Sequence, residues 1–197
     1  MAFDTHAAGA ATAAPANAHI RIGSMAPTAA ARPAEPFLDA AARVASARRA
    51  PRRLGVLTMR TEPRRLPIRE GVSPDVLARG VGHYPGTAFP GEEGNAVFFG
   101  HRTTMTKPFR RIDRLRAGDR VRFRVGSRTY VYRVYGRRVI APTNRTVLAP
   151  VPFKPFARPA GKRATLITCH PKGSDAQRLV VLAKLDTGAP EPRPAYH

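Results

Sequence analysis

The chain has 197 residues, which suits one domain with appendages, and 43% of them are hydrophobic, enough for a core. Against 13 acidic residues stand 34 Lys and Arg, a net charge of +21, and such a field favours anionic partners: nucleic acid, acidic polymers or a membrane surface. One cysteine excludes an internal disulfide and a multi-cysteine metal site, and no run of about 20 strongly apolar residues reads as a membrane-crossing helix.

In chain order, residues 1–50 contain 20 alanines, scattered Pro and Gly and few large apolar side chains, and read as a disordered Ala/Pro-rich arm. The start lacks the basic and apolar regions of a signal peptide. From Leu54 the texture changes. Leu54–Met59 and Leu66–Arg69 read as strands. Ser73-Pro74-Asp75 opens a short helix with Ser as N-cap and Pro at the first position, and Gly80 stops it. The stretches 83–87 and 90–95 carry turn chemistry. Asn95–Gly100 is an apolar strand, and Pro108–Leu115 suggests a short helix.

Val121, Phe123 and Val125 alternate with Arg120, Arg122 and Arg124, the period of a half-buried strand. Gly126-Ser127 is a two-residue hairpin turn. Tyr130, Tyr132 and Val134 mark the return strand, with Val139-Ile140 extending it. Residues 141–163 are Pro-rich, with a helical turn near Thr143–Leu148. Thr165–Cys169 and Arg178–Leu185 are the last strands, and residues 189–197 form a tail. Many short strands with few helical turns predict an all-β barrel or sandwich.

A lone buried cysteine is by default a small hydrophobe. A catalytic one needs a base or cation partner and a group to hold an oxyanion. Of six histidines, His6, His19 and His197 lie in the arm or tail. His170 neighbours Cys169 in sequence, but successive strand residues face opposite sides, which argues against pairing. His101 ends a buried strand and is preferred to His83, which sits in a turn. Arg178 opens the next strand nine residues after Cys169, so a return loop sets its planar, permanently charged guanidinium beside that thiol.

These residues carry a resemblance. Thr165-Leu166-Ile167-Thr168-Cys169 followed by Arg178-Leu179-Val180-Val181 resembles the TLxTC…R signature of sortases, the cysteine transpeptidases that attach proteins to the bacterial cell wall. Gly82–Ala88, Pro90–Asn95, Gly100-His101-Arg102-Thr103, Pro108-Phe109, Leu115 and Gly118-Asp119 fall in the order that class D and E sortases show. The resemblance covers residues 54–185 and is class E-like, with class D the nearest alternative.

It implies a sortase-type eight-stranded β-barrel with two or three short helices, and a catalytic domain over residues 51–188. It carries over His101, Cys169 and Arg178 as the catalytic trio. The implied reaction cleaves a C-terminal LAxTG/LPxTG-type sorting signal between Thr and Gly through a thioacyl enzyme. An amine of a peptidoglycan precursor then resolves that enzyme. The partners implied are secreted proteins bearing the signal and the precursor amine, with the anionic cell envelope a further one and nucleic acid not expected. The location implied is the extracytoplasmic face of the bacterial membrane, although no anchor is visible in this chain. Some sortases need calcium; residues 140–164 hold no Asp or Glu, and Glu92 and Glu93 alone are too few for a cage, so no cofactor and calcium independence are expected. A zinc site from His83, His101, Cys169 and His170 has no motif spacing behind it. The rival reading is a basic β-barrel that binds nucleic acid or anionic polymer without catalysis, with Tyr130, Tyr132 and the arginine face of residues 120–124 as its surface.

Overall fold

The computed structural model describes residues 51–187; the arm assigned to 1–50 and the tail assigned to 189–197 lie outside the described residues. Eight strands close into a barrel: β1 (Arg53–Met59), β2 (Glu62–Glu70), β3 (Val81–His83), β4 (Gly94–Phe99), β5 (Arg120–Val125), β6 (Arg128–Ile140), β7 (Lys162–His170) and β8 (Gln177–Leu185). Their order around the wall is β1-β2-β3-β4-β7-β8-β6-β5, and β5 pairs again with β1. Pairs β2/β3 and β4/β7 are parallel, and the rest are antiparallel. Closure leaves no free sheet edge.

The period-2 pattern sorts side chains between two cores. Inside the barrel, Leu57, Phe98, Val121, Phe123, Tyr132, Leu166 and Val181 pack together. The Phe98 and Phe123 rings stack at 4.7 Å, and Tyr132 meets Phe123 edge-on at 5.3 Å. Each such pair contributes about 0.5–1.5 kcal/mol beyond area burial. The outer face of β4, β7 and β8 is apolar as well, carrying Val97, Phe99, Ile167, Val180 and Leu182. That double-sided burial explains why β4 and β7 read as continuous apolar runs. The β6–β7 connection covers this outer face, with Val147 in the cluster and Leu148 and Phe153 packed against it. Asn95 fastens it: its amide donates to the carbonyls of Val147 and Ala149, both at 3.0 Å, while the Thr165 hydroxyl donates to Asn95 Oδ1 at 2.7 Å.

Several local expectations change. β2 begins at Glu62 rather than Leu66, because Glu62 pairs with Met59 at the end of β1, across an irregularity in the register. β3 was not anticipated: three residues carry too short a period to read, and His83 lies on it rather than in a turn. The helix expected over 108–115 is a single 3-10 turn, Ile112–Arg114. Helix α1 (Pro74–Ala78) starts after Ser73 as expected, but the Ser73 hydroxyl makes no capping bond. Tyr132 is fully buried, and its hydroxyl accepts from the Gly91 amide at 2.9 Å, so it offers no ring to an external base.

Candidate active site

Cys169 and Arg178 are directly opposed across the antiparallel β7/β8 ladder. Opposed pairs hold their Cβ atoms about 4.5–5.5 Å apart on one face. Alternation fixes which face: Cys169 shares it with Ile167 and Thr165, and Arg178 with Val180 and Leu182. This is the apolar outer face beneath the β6–β7 connection. Arg178 is only 4% exposed, and its Nη1 donates to the carbonyls of Asp175 (2.6 Å) and Gln177 (3.1 Å). The loop returning from β7 therefore orients the guanidinium.

His101 reaches the same place by a different route. β4 and β7 run parallel in one register, ending at Phe99 opposite Ile167. The Gly100 amide then donates to the Ile167 carbonyl (3.2 Å), and the Thr168 hydroxyl donates to the Gly100 carbonyl (2.7 Å). On the other side of His101, Arg102 Nη1 donates to the Cys169 carbonyl at 3.3 Å. His101 is thus pinned between two residues bonded to the end of β7. Its own carbonyl accepts from the Phe109 amide (3.1 Å). Gly100 is needed here: a Cβ would stand 2.8 Å from the buried Phe109 ring and 2.9 Å from Pro108. The sequence patches Gly100-His101 and Pro108-Phe109 are two sides of one contact.

Burial lowers the pKa of the half-buried His101 below its ordinary value. Desolvation disfavours imidazolium. The unfolded chain thus binds this proton at higher pH than the folded chain does. From about 6.5 down to the lowered folded value, the unfolded state carries more protons, so stability rises with pH across that window and is flat above it. Urea melts across pH should show the wild type losing stability below about 6.5 relative to His101→Asn; parallel pH profiles would refute this.

His170 faces away from Cys169 as alternation requires. Arg102 Nη1 donates to its Nδ1 at 2.9 Å, which leaves the neutral ring's proton on Nε2. Arg102, 4% exposed, is in turn paired through Nη2 with Asp113 at 3.3 Å. His83 is 1% exposed: its ring nitrogens face Glu70 Oε2 (3.1 Å) and the Ala88 carbonyl (3.0 Å), and its ring stacks on Phe89 at 4.7 Å. It belongs to the wall of the barrel, on β3, and both its ring nitrogens are engaged there.

The Sortase domain family profile matches residues 58–186, from within β1 to the end of β8. The chain belongs to the sortase family. Sortase SrtE1 of Streptomyces coelicolor is 38% identical over 128 residues, 61% of this chain and 36% of the relative; Sortase D of Bacillus subtilis is 29% identical over 133 residues, 66% of this chain and 62% of the relative. The chain thus spans less than two thirds of either curated relative. Among solved structures, the SrtA sortase of Actinomyces oris superposes with a TM-score of 0.67 at 32% identity, covering 77% of this chain and 94% of that one. Sortase E1 of Streptomyces coelicolor, solved with a tripeptide in its active site, gives 0.64 at 32% identity, covering 71% and 95%. These likenesses make the sortase class E-like, with class D also represented.

Among the described residues no group of three or more His, Cys, Asp or Glu is arranged to hold a metal ion, and the β6–β7 connection has no acid. Two residues of the site escaped the sequence reading. Arg102 was visible only as a member of the Gly100–Thr103 patch, one arginine among many. Asp113 carried no signal at all, since its partner lies 11 residues away in a loop.

Proposed function

We propose that this sortase is a cysteine transpeptidase that cleaves a C-terminal LAxTG/LPxTG-type sorting signal between Thr and Gly and joins the freed carboxyl end to a cell-wall precursor amine. The observation that carries the reading is the convergence of Cys169, Arg178 and the His101 segment at one end of an apolar sheet face. Cys169 thiolate adds to the threonine carbonyl carbon, and the carbonyl electron pair moves to oxygen. Arg178, held by two backbone carbonyls, faces that oxyanion with a fixed charge. Collapse breaks the C–N bond, and His101 imidazolium protonates the leaving glycine amine. In the second half the incoming amine attacks the thioester, His101 takes its proton, and Cys169 leaves as thiolate.

Charge state limits the rate. With ordinary pKa values, about 3% of thiol is thiolate and about 24% of imidazole is protonated at pH 7, so less than about 1% of molecules hold both. Burial of His101 lowers its share further. The reading therefore gives a slow enzyme working from a minor form, unless bound substrate shifts the pair.

We further propose that it acts on the outer face of a bacterial membrane without calcium. The test offers LAxTG and LPxTG peptides together with an amine acceptor, in calcium and in chelator, read by mass spectrometry. One peptide should be converted preferentially to the amine adduct, at equal rates in both buffers. Inertness toward both peptides would sink the class E or D assignment, and a requirement for calcium would sink the metal-free reading.

A further inference from the structure

The β6–β7 connection exposes an aromatic ring that no core uses. Phe156 is 99% exposed, against 68% for Met105, the next large hydrophobic among the described residues. Its presentation is built. The Ala157 amide donates to the Lys154 carbonyl (3.1 Å), so Pro155 and Phe156 are the central residues of a turn, with Pro155 where its fixed φ fits. Beneath the turn, the Lys154 amide donates to Val151 (2.9 Å) and the Phe153 amide to Thr146 (2.8 Å). The Arg138 guanidinium lies 4.8 Å over the Phe153 ring. The tip therefore stands on a fastened base.

Composition points to the occupant. Residues 149–160 are Ala, Pro, Val and Phe, apart from Lys154 and Arg158. No hydroxyl, amide or carboxylate side chain is present to read a polar pattern. Lys154 and Arg158 flank the tip in sequence and are exposed, and residues 51–187 carry 28 basic against nine acidic residues, a net +19. An apolar tip flanked by cations is complementary to an anionic lipid surface: the ring enters the headgroup–acyl boundary while the basic side chains lie along it with their charges at the phosphates.

We infer that the Lys154–Arg158 turn is a membrane-surface contact that inserts Phe156 into the interface of an anionic bilayer. The contact is independent of the catalytic reading, because its test uses no peptide substrate.

The chain contains no tryptophan, so Phe156→Trp places a single indole at the tip. Vesicles of phosphatidylcholine with phosphatidylglycerol should shift its emission to shorter wavelength, and lipids brominated on their acyl chains should quench it. Vesicles of phosphatidylcholine alone should do neither. Phe156→Ser should lower partitioning onto the anionic vesicles roughly tenfold, equivalent to about 1.4 kcal/mol, at an unchanged melting temperature. Lys154→Glu with Arg158→Glu should lower it at least as much. Unshifted, unquenched emission while the protein still sediments with anionic vesicles would overturn the inference in favour of another basic face. So would a shift that follows protein concentration without lipid, which assigns the tip to a second copy, or one produced only by an oligonucleotide.

Discussion

Cys169→Ala is expected to lower turnover of a sorting peptide at least about a thousandfold and to abolish the covalent peptide adduct in the mass spectrum. The thiol is the only cysteine, and it stands opposite Arg178 across the β7/β8 ladder. His101→Ala should lose comparable turnover, because its segment is bonded on both sides to the end of β7. His83→Ala is the contrast. His83 is a buried wall residue paired with Glu70 and the Ala88 carbonyl, so its loss should cost about 3 kcal/mol in a denaturant melt while the folded variant keeps most of its kcat. If His83→Ala stopped chemistry and His101→Ala left it intact, the site assignment would be reversed.

Arg102→Ala should be among the most destabilising single changes in the barrel, about 3 kcal/mol by urea melt. One guanidinium donates from Nη1 to the Cys169 carbonyl and His170 Nδ1 and pairs in charge through Nη2 with the Asp113 carboxylate. Removing one partner of a buried pair leaves the other charge desolvated. The value stays at the low end because the Asp113 side chain is 36% exposed and Lys172 lies 3.8 Å away. Arg102→Lys should recover little, since an ammonium lacks the planar fork that reaches these partners at once. A cycle with Asp113→Asn should show coupling above about 0.5 kcal/mol; additive losses would mean that the pair does not act as a unit.

What was legible in the sequence was local. The β5–β6 hairpin followed from strict alternation around Gly126-Ser127, and Val125 does pair with Arg128 across that turn. The return of Arg178 beside Cys169 followed from two strands joined by a loop of turn residues. Opposite facing of Cys169 and His170 followed from the pleat alone. By contrast β3 has three residues, below any readable period, and its parallel pairing with β2 is made across the whole α1 excursion.

The sequence by itself therefore determined most of the strands, which face of each is apolar, and that one cysteine, several histidines and an excess of arginines were available. Those properties depend on near neighbours, through periodicity and turn chemistry. Only the tertiary structure decided how β4 and β7 run side by side in register, because that parallel pairing joins segments 68 residues apart with no local signal for its offset. That register carries His101 to the end of β7. It also selects Arg102, out of an abundance of equivalent arginines, as the one buried against Cys169, His170 and Asp113.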